Sequence, residues 1–188
     1  MVISLVSYQM RMRDKKILHI GAGRKKIAGA VTLDVNARLK PHVVWNLDDF
    51  PYPFADGEFD LVVCEHVIEH LRDVIRVMEE LHRVTRPGGR VIVRVPHFSS
   101  LNFNTDPTHV HAFSSRSFDY LCIEAPFERY DYSRVRFRKL VARMDMQPPT
   151  LFNRALMSLI NRFLLFYEEH FAYIIPGQEL LFVLEVVK

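Results

Sequence analysis

Residues 17–23 read Ile-Leu-His-Ile-Gly-Ala-Gly, a short apolar run that ends in two glycines. A continuous apolar run of this length is typical of a buried parallel strand. Glycines after such a strand let backbone amides approach a ligand at a distance where side chains would collide. The stretch therefore predicts a strand whose carboxyl end faces a ligand, although the two glycines alone do not identify that ligand.

Four further apolar runs follow, separated by loops or a helical pattern. They predict parallel strands at residues 31–35, 43–45, 59–64 and 90–95. From Asp73 onward, apolar residues recur at spacings of three and four, which predicts an amphipathic helix that stops at Pro87-Gly88-Gly89. This order of elements is typical of an open α/β sheet whose ligands bind at the carboxyl ends of the strands.

The second half of the chain has a different pattern. After a loop from Pro96 to His111, the sequence predicts a short helix at 114–121, capped by Ser114 or Ser115. A strand at 130–146, an amphipathic helix at 151–171 and a final strand at 180–187 complete the prediction. The tyrosines and arginines of the 130–146 strand are interpreted as the wet side of an edge strand rather than a nucleic-acid surface. The long helix is interpreted as a lid or a core helix rather than a membrane-surface helix.

The composition is that of one ordinary globular domain. The chain has 188 residues, 49% of them hydrophobic and 12% aromatic, which excludes disordered, collagen-like and low-complexity classes. A net charge of +3 is too small to imply a nucleic-acid or membrane partner, and two cysteines cannot form a disulfide framework. The first 16 residues place their cations after the apolar run, unlike a signal peptide, and no run reaches the roughly 20 residues of a membrane span. We therefore expect a cytoplasmic protein without a membrane span.

Polar side chains end the second and third predicted strands. Asp34 closes the second strand, where a carboxylate can accept hydrogen bonds from both hydroxyls of a ribose. Asn46 follows the third strand, where its amide can pair with the edge of a base while Leu47 packs on the ring. The alternative is that Asp34 caps a turn and Asn46 satisfies the backbone. Suitable residues at three successive strand ends favour a nucleotide site over this alternative.

Five stretches together carry a resemblance to a known family: residues 18–23, 32–35, 51–62, 66–71 and 81–90. In this order and spacing the chain resembles the class I S-adenosylmethionine-dependent methyltransferases over residues 16–98. The resemblance implies a Rossmann-like three-layer α/β/α sandwich with a seven-stranded, mostly parallel sheet and an antiparallel C-terminal strand. It also implies S-adenosylmethionine as the cofactor. We expect one domain over 1–188, with a cofactor-binding half at 1–98 and a substrate-recognition half at 99–188.

The resemblance also assigns cofactor contacts to particular residues. These are Gly21, Ala22 and Gly23 at the methionine part, Asp34 and Val35 at the ribose, Asn46 and Leu47 at the adenine, and Glu65 facing the cofactor. Two features depart from the family pattern. His19 stands where the family has an acid, and only about ten residues separate the first two strands, fewer than a helical crossover needs.

Histidines are the candidates for the acceptor side of the site. Methyl transfer from a sulfonium needs alignment of the acceptor and, for an oxygen or nitrogen acceptor, removal of a proton. Histidine has a suitable pKa, and His97, His109 and His111 follow the fifth strand, so one of them is a candidate base. The predicted catalytic residues are His109, His97 and His66, the last of which ends the fourth strand. His109 is preferred, since Asp106 can orient it. The predicted reaction is methyl transfer to an oxygen or nitrogen of a small-molecule or glycan-like acceptor.

Two alternative functions stay open at this point. His66, Glu69 and His70 have the spacing of metal ligands on one helix face, and a histidine from the 97–111 loop can complete the set. This set resembles the metal-binding small-RNA 2'-O-methyltransferases, with His66 in place of a glutamate, and implies metal-assisted RNA methylation. The same helix pattern is common in metal-free members of the wider family, so no metal is the first expectation. The second alternative is an inactive cofactor-binding interaction module, which the missing first-loop acid makes conceivable.

Overall fold

Seven strands form one sheet in the computed structural model, which describes residues 15–146 and 150–188. The strands are β1 Ile17–Ile20, β2 Val31–Asp34, β3 Val43–Val44, β4 Phe59–Glu65, β5 Thr85–Pro96, β6 Arg136–Asp145 and β7 Glu179–Val187. Their order across the sheet is β3-β2-β1-β4-β5-β7-β6. Neighbouring strands from β1 to β5 run parallel, whereas β7 is antiparallel to both β5 and β6. The predicted Rossmann-like sheet with an antiparallel C-terminal strand is confirmed.

The parallel register brings the ends of three strands together. Ile20, the last residue of β1, pairs with Leu33 of β2 on one side and with Cys64 of β4 on the other. All four residues of β1 are buried, as expected for a central strand that is covered on both faces. The residues that follow β1, β2 and β4 therefore lie along one edge of the sheet, where a ligand site is expected.

Helices occur in both described segments, residues 15–146 and 150–188. They are α1 Val74–Val84, α2 Leu101–Thr105, α3 Leu151–Arg162 and α4 Leu164–His170, together with one-turn 3-10 helices at Ala37–Leu39, Ile68–His70, Asp119–Leu121 and Glu128–Tyr130. The Asp73 carboxylate accepts a hydrogen bond from the Arg76 amide at 3.0 Å and so caps the start of α1. The helix buries Val77, Met78 and Leu81, as its apolar spacing predicted.

The predicted helix end at Pro87-Gly88-Gly89 is wrong. The helix α1 ends at Val84, and β5 begins directly at Thr85, which pairs with Phe59 of β4. The register then shifts before Leu61 pairs with Arg90, so the Pro-Gly-Gly sequence lies within an irregular part of the strand. A proline has no amide hydrogen for the ladder, and such irregular positions are where strands tolerate it.

The helix predicted at residues 114–121 is reduced to the single turn Asp119–Leu121. Ser115, a predicted cap, instead donates from its amide and its hydroxyl to the Glu168 carboxylate, at 2.7 and 2.6 Å. The loop predicted from Pro96 to His111 contains α2, which was missed. Its cap is Ser100, whose hydroxyl accepts a hydrogen bond from the Phe103 amide at 2.9 Å.

The strand predicted at residues 130–146 begins only at Arg136. Tyr130 ends a one-turn helix, and Asp131 after it has a left-handed backbone with φ of +49°. The Tyr132 ring stacks on Tyr120 with centroids 4.9 Å apart, and Tyr130 also contacts Tyr120. Aromatic packing, rather than sheet pairing, therefore fixes the first part of this segment.

The helix predicted at residues 151–171 is two helices, α3 and α4, which meet at Phe163. Phe163 has φ and ψ of −130° and 42°, outside the helical range. The inner face joins the core through Met157, Ile160 and Tyr167. On the outer face Phe163 and Phe166 are more than half exposed, and an apolar groove of about 260 Å³ runs between the two helices.

The sequence predicted neither a membrane span nor a signal peptide. None of the helices within residues 15–146 and 150–188 is long and apolar enough to cross a bilayer. Residues 1–14, which include the apolar run of the expectation about a signal peptide, lie outside the described residues.

The connection from β1 to β2 is not helical, as its short length predicted. Ile27 and Ala30 from this connection pack on Leu61 and Val63, on the face of the sheet that forms the smaller core cluster. Helices α1, α3 and α4 pack on the larger core cluster, which contains none of these residues.

Glu168 ties α4 to the end of β5. Its carboxylate accepts both hydrogen bonds from Ser115 and lies 3.3 Å from Nε2 of His97, which is fully buried just after β5. Burial alone raises the pKa of Glu168, but the hydrogen bonds from His97 and Ser115 outweigh it and hold the pKa below its ordinary value. The folded chain therefore favours the ionised carboxylate.

We predict that Glu168→Gln lowers the free energy of unfolding by about 1–3 kcal/mol at pH 7, because it leaves buried donors poorly paired. The folded pKa is depressed, so this contribution is complete above the unfolded value of about 4.3 and is lost as the pH falls through the folded value. Urea unfolding at pH 7 and pH 3 measures the difference. Glu169→Gln, the exposed neighbour, is the control and should be neutral. A difference between Glu168→Gln and the parent chain that is as large at pH 3 as at pH 7 would contradict the assignment.

Candidate functional site

The loop after β1 requires its first glycine. Gly21 has φ of +56°, and a Cβ atom added there would lie 2.1 Å from Cγ2 of Val67. Gly23 also has a left-handed backbone, with φ of +52°, but its Cβ would meet no close contact. The loop can therefore follow the end of β4 closely only because position 21 has no side chain.

The Asp34 carboxylate accepts hydrogen bonds from backbone amides, one of them in this loop. Its Oδ2 accepts a hydrogen bond from the Gly23 amide at 2.9 Å, and its Oδ1 accepts one from the Asn36 amide at 2.8 Å. The turn-capping alternative is therefore observed for Asp34. Each carboxylate oxygen has further acceptor capacity, so this contact is compatible with the predicted ribose contact. Val35, the next residue, is 67% exposed beside it.

The residues predicted to contact adenine also form hydrogen bonds within the protein. The Asn46 side-chain oxygen accepts a hydrogen bond from the Asp48 amide at 3.1 Å, which is the backbone-satisfying alternative. Leu47 is buried in the core, and its carbonyl accepts a hydrogen bond from the Tyr52 hydroxyl at 2.9 Å. The adenine role of both residues stays a prediction.

A cleft of about 660 Å³ opens between the glycine loop and the end of β4. Its wall includes the backbone of Gly21, Ala22 and Gly23, the cations Arg24 and Lys25, and the carboxylates of Glu65 and Glu179. His19 also lines it, and burial lowers the pKa of this imidazole. Within the described residues the His19 Nδ1 atom has no hydrogen-bond partner. A neutral imidazole therefore occupies the place where the family has an acid.

Arg94 contacts both carboxylates of this cleft, although it was not among the predicted site residues. Its guanidinium lies 3.2 Å from Glu65, 3.0 Å from Glu179 and 3.2 Å from Asp145. Arg94 is the one charged residue within the apolar stretch 91–96 of β5, and this was the signal for such a role. Arg94 therefore joins the ends of β4, β5, β6 and β7.

His66 stands at the boundary of the cleft, directly after β4. It has a left-handed backbone with φ of +53°. Its Nε2 lies 3.2 Å from Glu179, and its Nδ1 lies 3.5 Å from Oε1 of Glu69. The Glu179 carboxylate first, and the Glu69 carboxylate second, raise the pKa of His66 to about 9. The imidazole therefore favours its charged form near neutral pH, which does not suit a base that must accept a proton.

A second cleft, of about 270 Å³, adjoins the first. His66 and Glu179 line both clefts, while Glu69, His70 and His109 line the second. The His109 Nδ1 atom donates to the Phe103 carbonyl at 3.0 Å, and its ring stacks on Phe103. The predicted orienting residue, Asp106, instead accepts hydrogen bonds from Thr108.

The third predicted catalytic histidine lies elsewhere. His97 is fully buried, with its Nδ1 bonded to the Ser99 hydroxyl at 2.8 Å and its Nε2 facing Glu168. The structure thus brings His66 and His109 together at the second cleft, but gives both nitrogens of His97 protein partners.

Comparison with known proteins fits this architecture. Residues 18–93 match the family model described as a methyltransferase domain. A solved S-adenosylmethionine-dependent methyltransferase from Archaeoglobus fulgidus aligns with a TM-score of 0.57 at 20% identity, over 96% of this chain and 90% of that one. The chain has a class I methyltransferase fold. The resemblance expected from the sequence is therefore confirmed, and at this identity the solved structure supports the fold alone.

Two further proteins are similar over different extents. A Burkholderia thailandensis 1,6-didemethyltoxoflavin-N1-methyltransferase, solved with S-adenosylhomocysteine bound, has a TM-score of 0.57 and 12% identity, over 97% of this chain and 76% of that one. The tocopherol O-methyltransferase of Arabidopsis thaliana is 46% identical over 46 residues, which are 24% of this chain and 13% of that protein. The chain matches a fifth or less of the length of its first curated relatives. Together these findings support S-adenosylmethionine as the cofactor.

We predict that Gly21→Ala lowers the free energy of unfolding by at least about 2 kcal/mol, because left-handed strain and the clash with Val67 add. Gly29→Ala is the matched control, with φ of +77° and no described atom within 4 Å of the added Cβ. It should cost only the strain, about 1–2 kcal/mol. Urea unfolding of both variants gives the comparison. Equal losses would show that Val67 does not restrict position 21.

Proposed function

We propose that the chain transfers a methyl group from S-adenosylmethionine to an oxygen or nitrogen of a small-molecule or glycan-like acceptor. The observation that carries the proposal is the pair of adjoining clefts at the carboxyl edge of the parallel sheet, with His66 and Glu179 as their common wall. A donor in one cleft and an acceptor in the other would meet at this wall. Such alignment is the main requirement of methyl transfer.

The charges of the larger cleft match the donor. S-adenosylmethionine carries a positive sulfonium and ammonium and a negative carboxylate. Glu65 and Glu179 supply negative charge at the ends of β4 and β7, and Arg24 and Lys25 supply positive charge on the loop. The backbone of the glycine loop, which lines this cleft, suits the methionine part, and Asp34 accepts a hydrogen bond from the Gly23 amide of this loop.

We assign the smaller cleft to the acceptor. His109 lines it with Nε2 toward Glu69, and Asn102, Thr105 and Asp106 supply further polar groups. These groups favour an acceptor with hydroxyl or amine substituents. His97 is assigned a positioning role, because it holds α4 against the end of β5 through Glu168.

We predict that Asp34→Asn weakens binding of S-adenosylhomocysteine at least about tenfold, because a charged hydrogen-bond acceptor is lost behind the loop and at the ribose. Isothermal titration calorimetry of the full chain measures the change. Asp49→Asn is the control, since Asp49 is an exposed neighbour of the third strand and should bind normally. A thermal melt of each variant checks that it is folded.

Methyl transfer itself is tested by incubation of the full chain with S-adenosylmethionine and a panel of hydroxyl and amine compounds, with mass spectrometry to locate the methyl group. No binding of S-adenosylhomocysteine by the parent chain would overturn the proposal. Equal binding by Asp34→Asn and the parent chain would overturn the cofactor position. Transfer only to carbon or sulfur would overturn the acceptor class.

A further inference from the structure

Glu69 is a buried carboxylate whose nearest described cation, His66, has its Nδ1 3.5 Å from Oε1 of Glu69. It lies on the one-turn helix Ile68–His70, its side chain is 0% exposed, and within the described residues neither carboxylate oxygen accepts a hydrogen bond. Burial of a carboxylate that accepts no hydrogen bond is strongly unfavourable, so such groups usually bind a cation or a metal directly. The position of Glu69 therefore points to a positive ligand in the smaller cleft.

Two histidines bring ring nitrogens to the same place. Donor atoms of Glu69, His70 and His109 all lie within 4.8 Å of one another. The His109 Nε2 atom is 3.9 Å from Oε1 of Glu69, too far for a hydrogen bond. Small side-chain shifts would bring such donors to the ~2.0–2.2 Å at which a zinc ion binds nitrogen and oxygen ligands.

Hydrogen bonds at the back of each ring fix which nitrogen is available. The His109 Nδ1 atom faces the Phe103 carbonyl, which can only accept, so Nδ1 carries the proton and Nε2 keeps its lone pair. The His70 Nδ1 atom lies 2.8 Å from the Thr108 hydroxyl, which itself donates to Asp106 at 2.7 Å. The hydroxyl therefore accepts from His70, whose Nε2 is also left with a lone pair. Outer hydrogen bonds of this kind orient histidines that bind metals.

We propose that Glu69, His70 and His109 bind one divalent transition-metal ion of the zinc class, with an open coordination position toward the smaller cleft. Two imidazoles and one carboxylate form a ligand set that zinc accepts while it keeps a fourth position for a small molecule. The set lacks His66 from the predicted one, and His109 is the histidine of the 97–111 loop that completes it. The Nε2 atom of His66 is engaged by Glu179.

The role of the ion rests on the proposed methyl transfer. An acceptor hydroxyl bound at the open position gives its proton to solvent water, since the ion stabilises the resulting oxygen anion. The oxygen then forms a bond to the methyl carbon as the sulfur–carbon bond of the sulfonium breaks. S-adenosylhomocysteine leaves with a neutral sulfur, so charge and atoms balance.

The test is metal binding by the full chain after removal of metals with a chelator. Titration calorimetry with Zn²⁺ should give one site per chain, and Co²⁺ should give the visible absorption bands of a low-coordinate nitrogen and oxygen site. His109→Gln and Glu69→Gln should each weaken Zn²⁺ binding on the order of 100-fold. His111→Gln, a histidine of the same loop that faces the Arg72 carbonyl, is the control and should bind within twofold of the parent chain.

The outcomes separate this proposal from the proposed function. S-adenosylhomocysteine binding, measured on the same samples, should persist in His109→Gln. This binding also shows that the variant is folded. If a ligand variant does not fold, His70→Gln takes its place in the test. Absence of a saturable Zn²⁺ or Co²⁺ site in the parent chain would overturn the metal site. Undiminished binding by the ligand variants would overturn it as well. Metal binding without S-adenosylhomocysteine binding would keep the metal site and reject the methyl donor.

Discussion

The site depends on the missing side chain at Gly21. Val67 occupies the space that a Cβ atom at Gly21 would need, and Val67 directly precedes the one-turn helix Ile68–His70. The glycine loop after β1 and the helix after β4 therefore pack against each other. The parallel register of Ile20 with Cys64 sets this contact, because it starts both segments at the same level of the sheet.

Charged side chains then shape the clefts in a region of low exposure. Arg94, whose side chain is 13% exposed, forms ion pairs with Glu65 and Glu179, and Glu179 in turn pairs with His66. Buried ion pairs add little net stability, because desolvation offsets much of their attraction. Their effect here is geometric: they fix carboxylates at the ends of β4 and β7. Glu69 differs from these groups, since within the described residues its oxygens accept no hydrogen bond and its nearest cation, His66, is 3.5 Å away.

The parts of the fold that the sequence predicted well are those with strong periodic patterns. Apolar runs located β1, β4 and β7, and the three- and four-residue spacing located α1. Failures occurred where distant contacts overrode local preference. Ser115 binds Glu168, which is 53 residues away, instead of capping a helix. Tyr132 stacks on Tyr120 instead of extending β6. Residue patterns report local periodicity and carry no information about such partners.

The candidate site was predictable to a similar degree. Strand ends located Gly21, Asp34 and His66 at one edge, because parallel strands must end together. The pairing of His109 with the Phe103 carbonyl was not predictable, since it requires α2, which brings that carbonyl to the ring. The burial of His97 had a similar cause, because it depends on the return of α4 to the end of β5.

The common wall of the two clefts has an energetic consequence. His66 and Glu179 contact whatever occupies either cleft, so a ligand that moves or charges this wall changes the affinity of the other cleft. Thermodynamic linkage makes this effect reciprocal: each ligand alters the binding of the other by the same factor. The same two side chains would thus make occupancy of the sites cooperative or antagonistic without any movement of the sheet. Release of a ligand from one cleft would then change the ligand affinity of the other cleft.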